Sequence, residues 1–317
     1  MITSSVKIGI SACLLGQPVR YNGGHKHSSL CTEILGRHFE FIGICPEQAI
    51  GLGTPRQPIR LVGDPAQPQA RGTVDRQLDV SAELTAFGEQ VATQLDDVSG
   101  YILMQKSPSC GMERVKVYQD NGYPAAGGGR GLFAAALMRA RPDLPVEEDG
   151  RLNDPVLREN FITRVFVHAD WQQLLRAGLT RQALICFHER YKYQLMASHR
   201  EHYQLLGRAV AQSADTPLAE FAPAYFSQLM AALKNPASRG SHSNVLQHLA
   251  GYLKRALSPP EKQELQQLIE QYRVGTVPLV VPMTLIKHHF RRHPDDYIAR
   301  QSYLRPHPED LGLRNAL

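Results

Sequence analysis

Val6-Lys7-Ile8-Gly9-Ile10-Ser11-Ala12-Cys13 is an apolar, β-prone run that ends in a small-residue turn carrying a cysteine. The design recurs twice. Phe39-Glu40-Phe41-Ile42-Gly43-Ile44-Cys45-Pro46 closes on cysteine and proline. Val98-Ser99-Gly100-Tyr101-Ile102-Leu103-Met104 feeds Gln105-Lys106-Ser107-Pro108-Ser109-Cys110-Gly111. Short apolar runs bounded by turn residues mark strands buried on both faces. Helical spacing lies between them, around residues 27–37 and 81–96, so strands and helices alternate. That order predicts βαβ units and a parallel sheet. We therefore expect a Rossmann-like α/β N-terminal domain over residues 1–145. In open parallel sheets, sites form beyond the carboxyl ends of the strands. All three cysteine loops are predicted at that edge.

Residues 141–155, from Arg141-Pro142-Asp143-Leu144-Pro145 to Asp154-Pro155, are rich in proline and charge and read as a linker. Beyond them the texture changes. Residues 156–177, 180–210, 217–233, 242–257 and 259–273 show apolar spacing of three and four, with few β-prone runs. Pro259-Pro260 suits a helix start. An all-α C-terminal domain is expected over residues 155–317.

A chain of 317 residues fits two domains, and 43% hydrophobic with 21% charged residues is an ordinary globular balance. No apolar run approaches the roughly 18 residues a membrane span needs. The stretch Met1-Ile2-Thr3-Ser4-Ser5-Val6-Lys7 lacks the features of a secretory signal. A cytoplasmic protein without membrane association is the expectation. The charge is uneven: residues 1–150 carry 14 basic and 16 acidic side chains (−2), residues 151–317 carry 21 and 14 (+7), and ten of the 13 histidines lie in the second part. One half would do chemistry and the other meet a polyanion, although ordinary surface variation also produces such an imbalance.

Five cysteines without an export signal argue against a disulfide framework and for metal binding or catalysis. Cys13, Cys45 and Cys110 stand 32 and 65 residues apart, with no C-x-x-C pair. Three thiolates on loops suit a metal or cluster with one coordination position open; three small buried hydrophobes is the alternative. Cys31 and Cys186 lie within helical patterns and are assigned to the core. Glu47, two residues after Cys45, is placed either as a general acid or base or as a helix-start carboxylate. Ser107 and Ser109 either donate to sulfur or a substrate oxygen, or serve the turn. Arg20 with Tyr21, and Arg56, lie near cysteine loops, where an arginine would hold a base edge or phosphate, or join a surface ion pair. Gly127-Gly128-Gly129-Arg130-Gly131 precedes an Ala-rich helix and would offer amides to a phosphate, but it matches neither standard phosphate loop and reads as a flexible turn.

In the second half, Phe187-His188-Glu189-Arg190-Tyr191-Lys192-Tyr193, the run from His242 to Arg255, and Lys287-His288-His289-Phe290-Arg291-Arg292-His293 interleave basic and aromatic side chains. Such runs neutralise phosphates and stack on unpaired bases, or form a solvated face over core aromatics.

Three motifs in this order carry a resemblance. Ser11-Ala12-Cys13-Leu14-Leu15-Gly16 with Arg20-Tyr21-Asn22-Gly23, Cys45-Pro46-Glu47 with Gly51-Leu52-Gly53-Thr54-Pro55-Arg56, and Lys106-Ser107-Pro108-Ser109-Cys110-Gly111 together resemble the bacterial thiouracil desulfidases over residues 5–140. The whole arrangement is similar to two-domain tRNA 4-thiouridine desulfidases. The resemblance implies a [4Fe-4S] cluster on Cys13, Cys45 and Cys110 with one iron free of protein ligands. It also implies catalytic roles for Glu47 and Ser107, with Arg20, Tyr21, Arg56 and Ser109 expected to contact the thiolated uracil base. The expected partner is tRNA and the expected reaction is non-redox removal of sulfur as sulfide. A desulfidase of free thiouracil or thiouridine, and a non-enzymatic cluster sensor that binds nucleic acid, stand as alternatives.

Overall fold

Strand β1 (Val6–Ser11) is the second strand of a four-stranded sheet in the computed structural model, which describes residues 5–315. The first four residues, part of the stretch lacking signal features, lie outside the described residues. The chain divides after Asp154 into two compact units.

In the first unit, β1 pairs in parallel with β2 (Phe39–Ile44) on one side. On the other side it pairs in parallel with a short strand, Tyr101–Leu103. Because the chain winds first to one side of β1 and then to the other, a crevice opens at the carboxyl ends of these neighbours. Gly9 is required here: a Cβ would collide with the Tyr101 ring that crosses it. The predicted helix around residues 27–37 is instead a π-turn (Leu30–Ile34) followed by a 3-10 turn (Leu35–Arg37). Only Cys31 and Leu35 of this stretch are buried, and packing on so small a face sustains no longer helix.

After β2 come the short helix α1 (Pro46–Ala49) and a hairpin that the sequence pattern did not reveal, β3 (Ile59–Asp64) with β4 (Gln67–Gly72). Helix α2 (Ser81–Gln94) leads to Tyr101–Leu103, which is β5; β6 (Val117–Tyr118) then joins β3 in parallel to complete a second, three-stranded sheet. Helix α3 (Leu132–Ala140) packs on α2, where Gly88 allows the backbones to meet at Ala136 and Phe133. Residues 141–155 do not form a free linker. Val146–Glu148 is β7, wholly buried and paired in parallel with β5. Two of its three residues are glutamates, which are buried because Glu147 accepts from Arg151 and Glu148 from Met112 N–H.

The second unit is helical: α4 (Pro155–Arg176), α5 (Arg181–Ser198), α6 (Arg200–Ala211), α7 (Leu218–Leu233), α8 (Arg239–Tyr252), α9 (Pro259–Arg273), α10 (Val280–Arg292) and α11 (Asp296–Ala299). The pattern over residues 180–210 is two helices, because His199 turns extended and caps α6 by accepting from His202 N–H. One core surrounds Trp171, stacked on Phe226, and another surrounds Leu246, Ile286 and Tyr303. No helix among the described residues is long and apolar enough to cross a membrane.

Candidate active site

The three strand-end loops meet. Cys13 follows β1 in a 3-10 turn (Ala12–Leu15), Cys45 caps α1 directly after β2, and Cys110 follows β5. All three line one cavity of about 400 Å³, together with Glu47, Ser107, Arg20, Tyr21 and Arg56. Cys13 and Cys110 are buried and Cys45 is half-buried. Burial pushes the Cys13 thiol up to about 11, and Cys45 adds to that rise while Arg20 opposes it. Cys110 is raised far above the ordinary thiol range by complete burial, opposed by a hydrogen bond from Ser11 and reinforced by Glu47, Cys45 and Cys13. Cys45 is raised by burial as well, against backbone amides of α1. Cys13 thus senses Cys45, and Cys110 senses both. Three such groups side by side resist ionising together unless a cation compensates them.

Ser11 supports this wall from beneath, accepting from Met104 N–H at 2.9 Å and bonding Cys110. Its place in the Ser-Ala-Cys turn was visible in the sequence, but its partner on β5 was not. Nearby, the Tyr101 hydroxyl is fully buried and has no hydrogen-bond partner; Cys110 and Cys45 are its chief electrostatic neighbours.

Glu47 is held on both oxygens. Arg56 donates to Oε2 through Nε at 2.9 Å and Nη2 at 2.7 Å, and Ser109 Oγ donates to Oε1 at 2.8 Å. The remaining guanidinium hydrogens go to Val19 O, Gly53 O and Thr54 Oγ1, at 3.0, 2.7 and 3.1 Å. All five donors of Arg56 are therefore engaged. Arg56, expected at the substrate, lines the cavity with its donors spent on Glu47 and the neighbouring loop. Ser109, expected there too, is buried, absent from the cavity lining, and bonded to Glu47. Arg20 and Tyr21 do line the cavity, with the guanidinium 5.8 Å from the Tyr21 ring. Ser107 Oγ accepts from Ser109 N–H (3.2 Å) and Cys110 N–H (3.1 Å). Those bonds occupy its lone pairs and leave its proton to donate into the cavity.

The end of the glycine run braces the neighbouring loops. Gly131 N–H donates to Gly111 O, Leu132 N–H to Pro108 O and Ala134 N–H to Ser109 O, while Gly129 exchanges two bonds with Val115. The amides at the start of α3 thus hold the Ser107–Gly111 loop.

Two further expectations change. Cys186 is exposed rather than in the core, whereas Cys31 is buried as expected. In the basic–aromatic runs, Phe187, His188, Tyr191, Tyr193, His242 and His289 are all buried. They build the helical cores, because aromatic rings at helical spacing bury on one face, while Tyr252, His248 and His288 stay exposed.

Residues 8–149 match the model of the 2-thiouracil desulfurase family. The first unit belongs to that family. Residues 192–308 match a second family, described as a protein of unknown function, DUF1722. The chain is 33% identical over 159 residues to the uncharacterized protein YbgA of Escherichia coli (strain K12), covering 50% of this chain and 94% of that protein. It is 27% identical over 156 residues to the uncharacterized protein YbbK of Bacillus subtilis (strain 168), covering 46% and 97%. Among solved structures it is similar to the [4Fe-4S]-dependent thiouracil desulfidase TudS, at 32% identity over 47% of this chain and 95% of that one, with a TM-score of 0.39. For this desulfurase-family unit, no set of His, Cys, Asp and Glu among the described residues is arranged to hold a single metal ion.

Proposed function

We propose that this protein is a [4Fe-4S]-dependent, non-redox desulfidase that converts 4-thiouridine in tRNA to uridine and releases sulfide. Family membership of the first unit supports the activity, and the TudS relative supports the cluster. The donor set fits. Three thiols around one cavity would suit the ligand set of an iron–sulfur cluster. Cys13, Cys45 and Cys110 would hold the cluster. When bound, it supplies a soft Lewis acid with a coordination position free of protein.

The chain's own groups then handle water and protons. Arg56 and Ser109 fix Glu47 so that its carboxylate takes a proton from a water attacking the thiolated ring carbon. The same carboxylate returns that proton as the carbon–sulfur bond breaks. Oxygen replaces sulfur, sulfide leaves, and no electron is gained or lost overall. Ser107 donates its hydroxyl hydrogen to the base and holds it in line. The excess of basic residues in the second part of the chain supports tRNA as the carrier of the base, which must leave its stack to enter a cavity of this size.

The clamped carboxylate beside three converging cysteines carries this reading. Under anaerobic conditions, Glu47→Gln should lower sulfide release from thiolated tRNA by about 10²–10⁴-fold, with iron content and visible spectrum unchanged. Full turnover by that variant would sink the proposed mechanism. Sulfide released only from free 2-thiouracil, with 4-thiouridine in tRNA untouched, would move the substrate assignment to the free base.

A further inference from the structure

Bracing uses only part of the glycine run. Gly129 and Gly131 hold the neighbouring loops, but the N–H groups of Gly127 and Arg130 donate to no acceptor among the described residues. Both residues line a cavity of about 870 Å³ that shares no lining residue with the cysteine cavity. Its wall is one-sided in charge: Arg114, Arg130 and Arg139 face a single carboxylate, Glu113. Arg151, from outside the lining, already donates to Glu113 at 2.9 Å, and Arg114 stands 3.6 Å from the same oxygen. Arg139 reaches Glu89 through one nitrogen. Arg130 has no ion-pair or hydrogen-bond partner among the described residues. Guanidinium groups gathered around one recess repel each other unless an anion joins them.

Arg114 carries a second mark, independent of its charge. Its backbone is left-handed, with φ 54°, a conformation that costs a residue other than glycine strain. Gly128, itself at φ 65°, packs against it so closely that a Cβ there would stand 2.9 Å from Arg114 Cα. The glycine run therefore rests on the strained arginine, and the two segments bring a guanidinium and a free amide to the same cavity. Strain held in place by its surroundings is a mark of ligand sites.

We propose that this cavity is a phosphate-binding site, separate from the cysteine cavity, in which Arg114, Arg130 and the Gly127 amide hold the oxygens of a phosphorylated ligand. Backbone amides left free in turns and planar guanidinium forks are the donors that phosphate oxygens take, and the volume falls within the range of ligand pockets. The assignment does not rest on the desulfidase reading. Its ligand chemistry has two sources, a free phosphorylated solute and the backbone of a nucleic-acid strand.

Titration calorimetry of the anaerobically purified holoenzyme, with pyrophosphate and with a sulfur-free uridine pentanucleotide, tests the site and its source together. Arg114→Gln/Arg130→Gln should weaken binding about ten-fold, as expected when charge-assisted contacts are lost. Arg114→Lys/Arg130→Lys should lose less, because both charges remain. Tighter binding of the pentanucleotide than of pyrophosphate, with the advantage lost in the Gln variant, assigns the site to a nucleic-acid backbone. Equal or tighter binding of pyrophosphate, again weakened in that variant, assigns it to a free solute. Affinity unchanged in the Gln variant would overturn the site, as would failure of both ligands to bind the unaltered protein. Arginine modification by phenylglyoxal, mapped by peptide mass spectrometry, needs no variant at all. Bound ligand should shield Arg114 and Arg130; shielding confined to Arg20 would place the anion in the cysteine cavity and refute the proposal.

Discussion

Glu47 is useful only where its carboxylate points, and two neighbours decide that. Arg56 grips it with a fork and Ser109 with a buried hydroxyl. Arg56→Lys keeps the charge but loses the fork, and a mispositioned base costs about 10²-fold. We expect kcat to fall by about that factor while KM for the thiolated substrate and the iron content hold. Ser109→Ala removes one donor from a half-buried carboxylate, a loss of about 1–3 kcal/mol, which is about 5- to 150-fold in kcat. Steady-state kinetics beside an iron assay separates both effects from simple loss of the cluster. Replacing Cys13, Cys45 or Cys110 by serine removes a soft ligand, so each variant should lose iron and labile sulfide after anaerobic purification. A serine variant with full iron would remove that cysteine from the ligand set.

The start of α3 and the cysteine loop form one device. Gly131 lies so close to Ser109 and Cys110 that a Cβ there would collide with their backbone. Gly131→Ala should therefore shift the loop, destabilise the protein by about 1–3 kcal/mol and reduce iron occupancy. Gly251 near the end of α8 offers the contrast: it is exposed, and a methyl group added there would meet nothing within 4 Å. Gly251→Ala should stabilise by about 0.5–1 kcal/mol, through lower chain entropy in the unfolded state. Chemical denaturation curves for the two variants test both signs. These interactions were not legible in the glycine run itself, because a flexible turn, a phosphate loop and a close backbone contact all call for glycine.

Over the whole chain, the two units should respond differently to acid. Burial, reinforced by Lys192, holds His188 down to about 4, and burial with Arg314 does the same to His242. Both stay neutral in the fold but take up a proton when unfolded below about 6.5. The unfolded state then binds more protons, so stability present above pH 6.5 is lost as pH falls towards 4, by about 3 kcal/mol for each histidine. Burial alone would raise Glu159, but Arg314 and His307 reverse that and hold it at about 2. Its contribution is present above 4.5 and is lost as pH falls through 2. The single tryptophan, Trp171, sits in the helical core and reports this unit alone. Its fluorescence on denaturant titration should give midpoints that are flat above pH 7 and decline below 6.5; His242→Gln should make the decline shallower. For the proposed partner, tRNA affinity should drop steeply between low and moderate salt as counterions are released. A flat response would argue against phosphate contacts.

Strand–cysteine–turn repeats, written into local order, determined the parallel sheet and the edge where its three cysteine loops gather, because period and punctuation are properties of neighbouring residues. The all-α texture of the second half came from the same kind of signal. Folding alone decided that Arg56 and Ser109 serve Glu47, that Ser11 reaches Cys110, and that β7 emerges from a proline-rich stretch. It also decided that most aromatics of the basic runs face inward while Tyr252 stays exposed. Each of those depends on which distant groups are brought within a few ångströms, and burial and hydrogen bonding between segments leave no trace in composition or spacing.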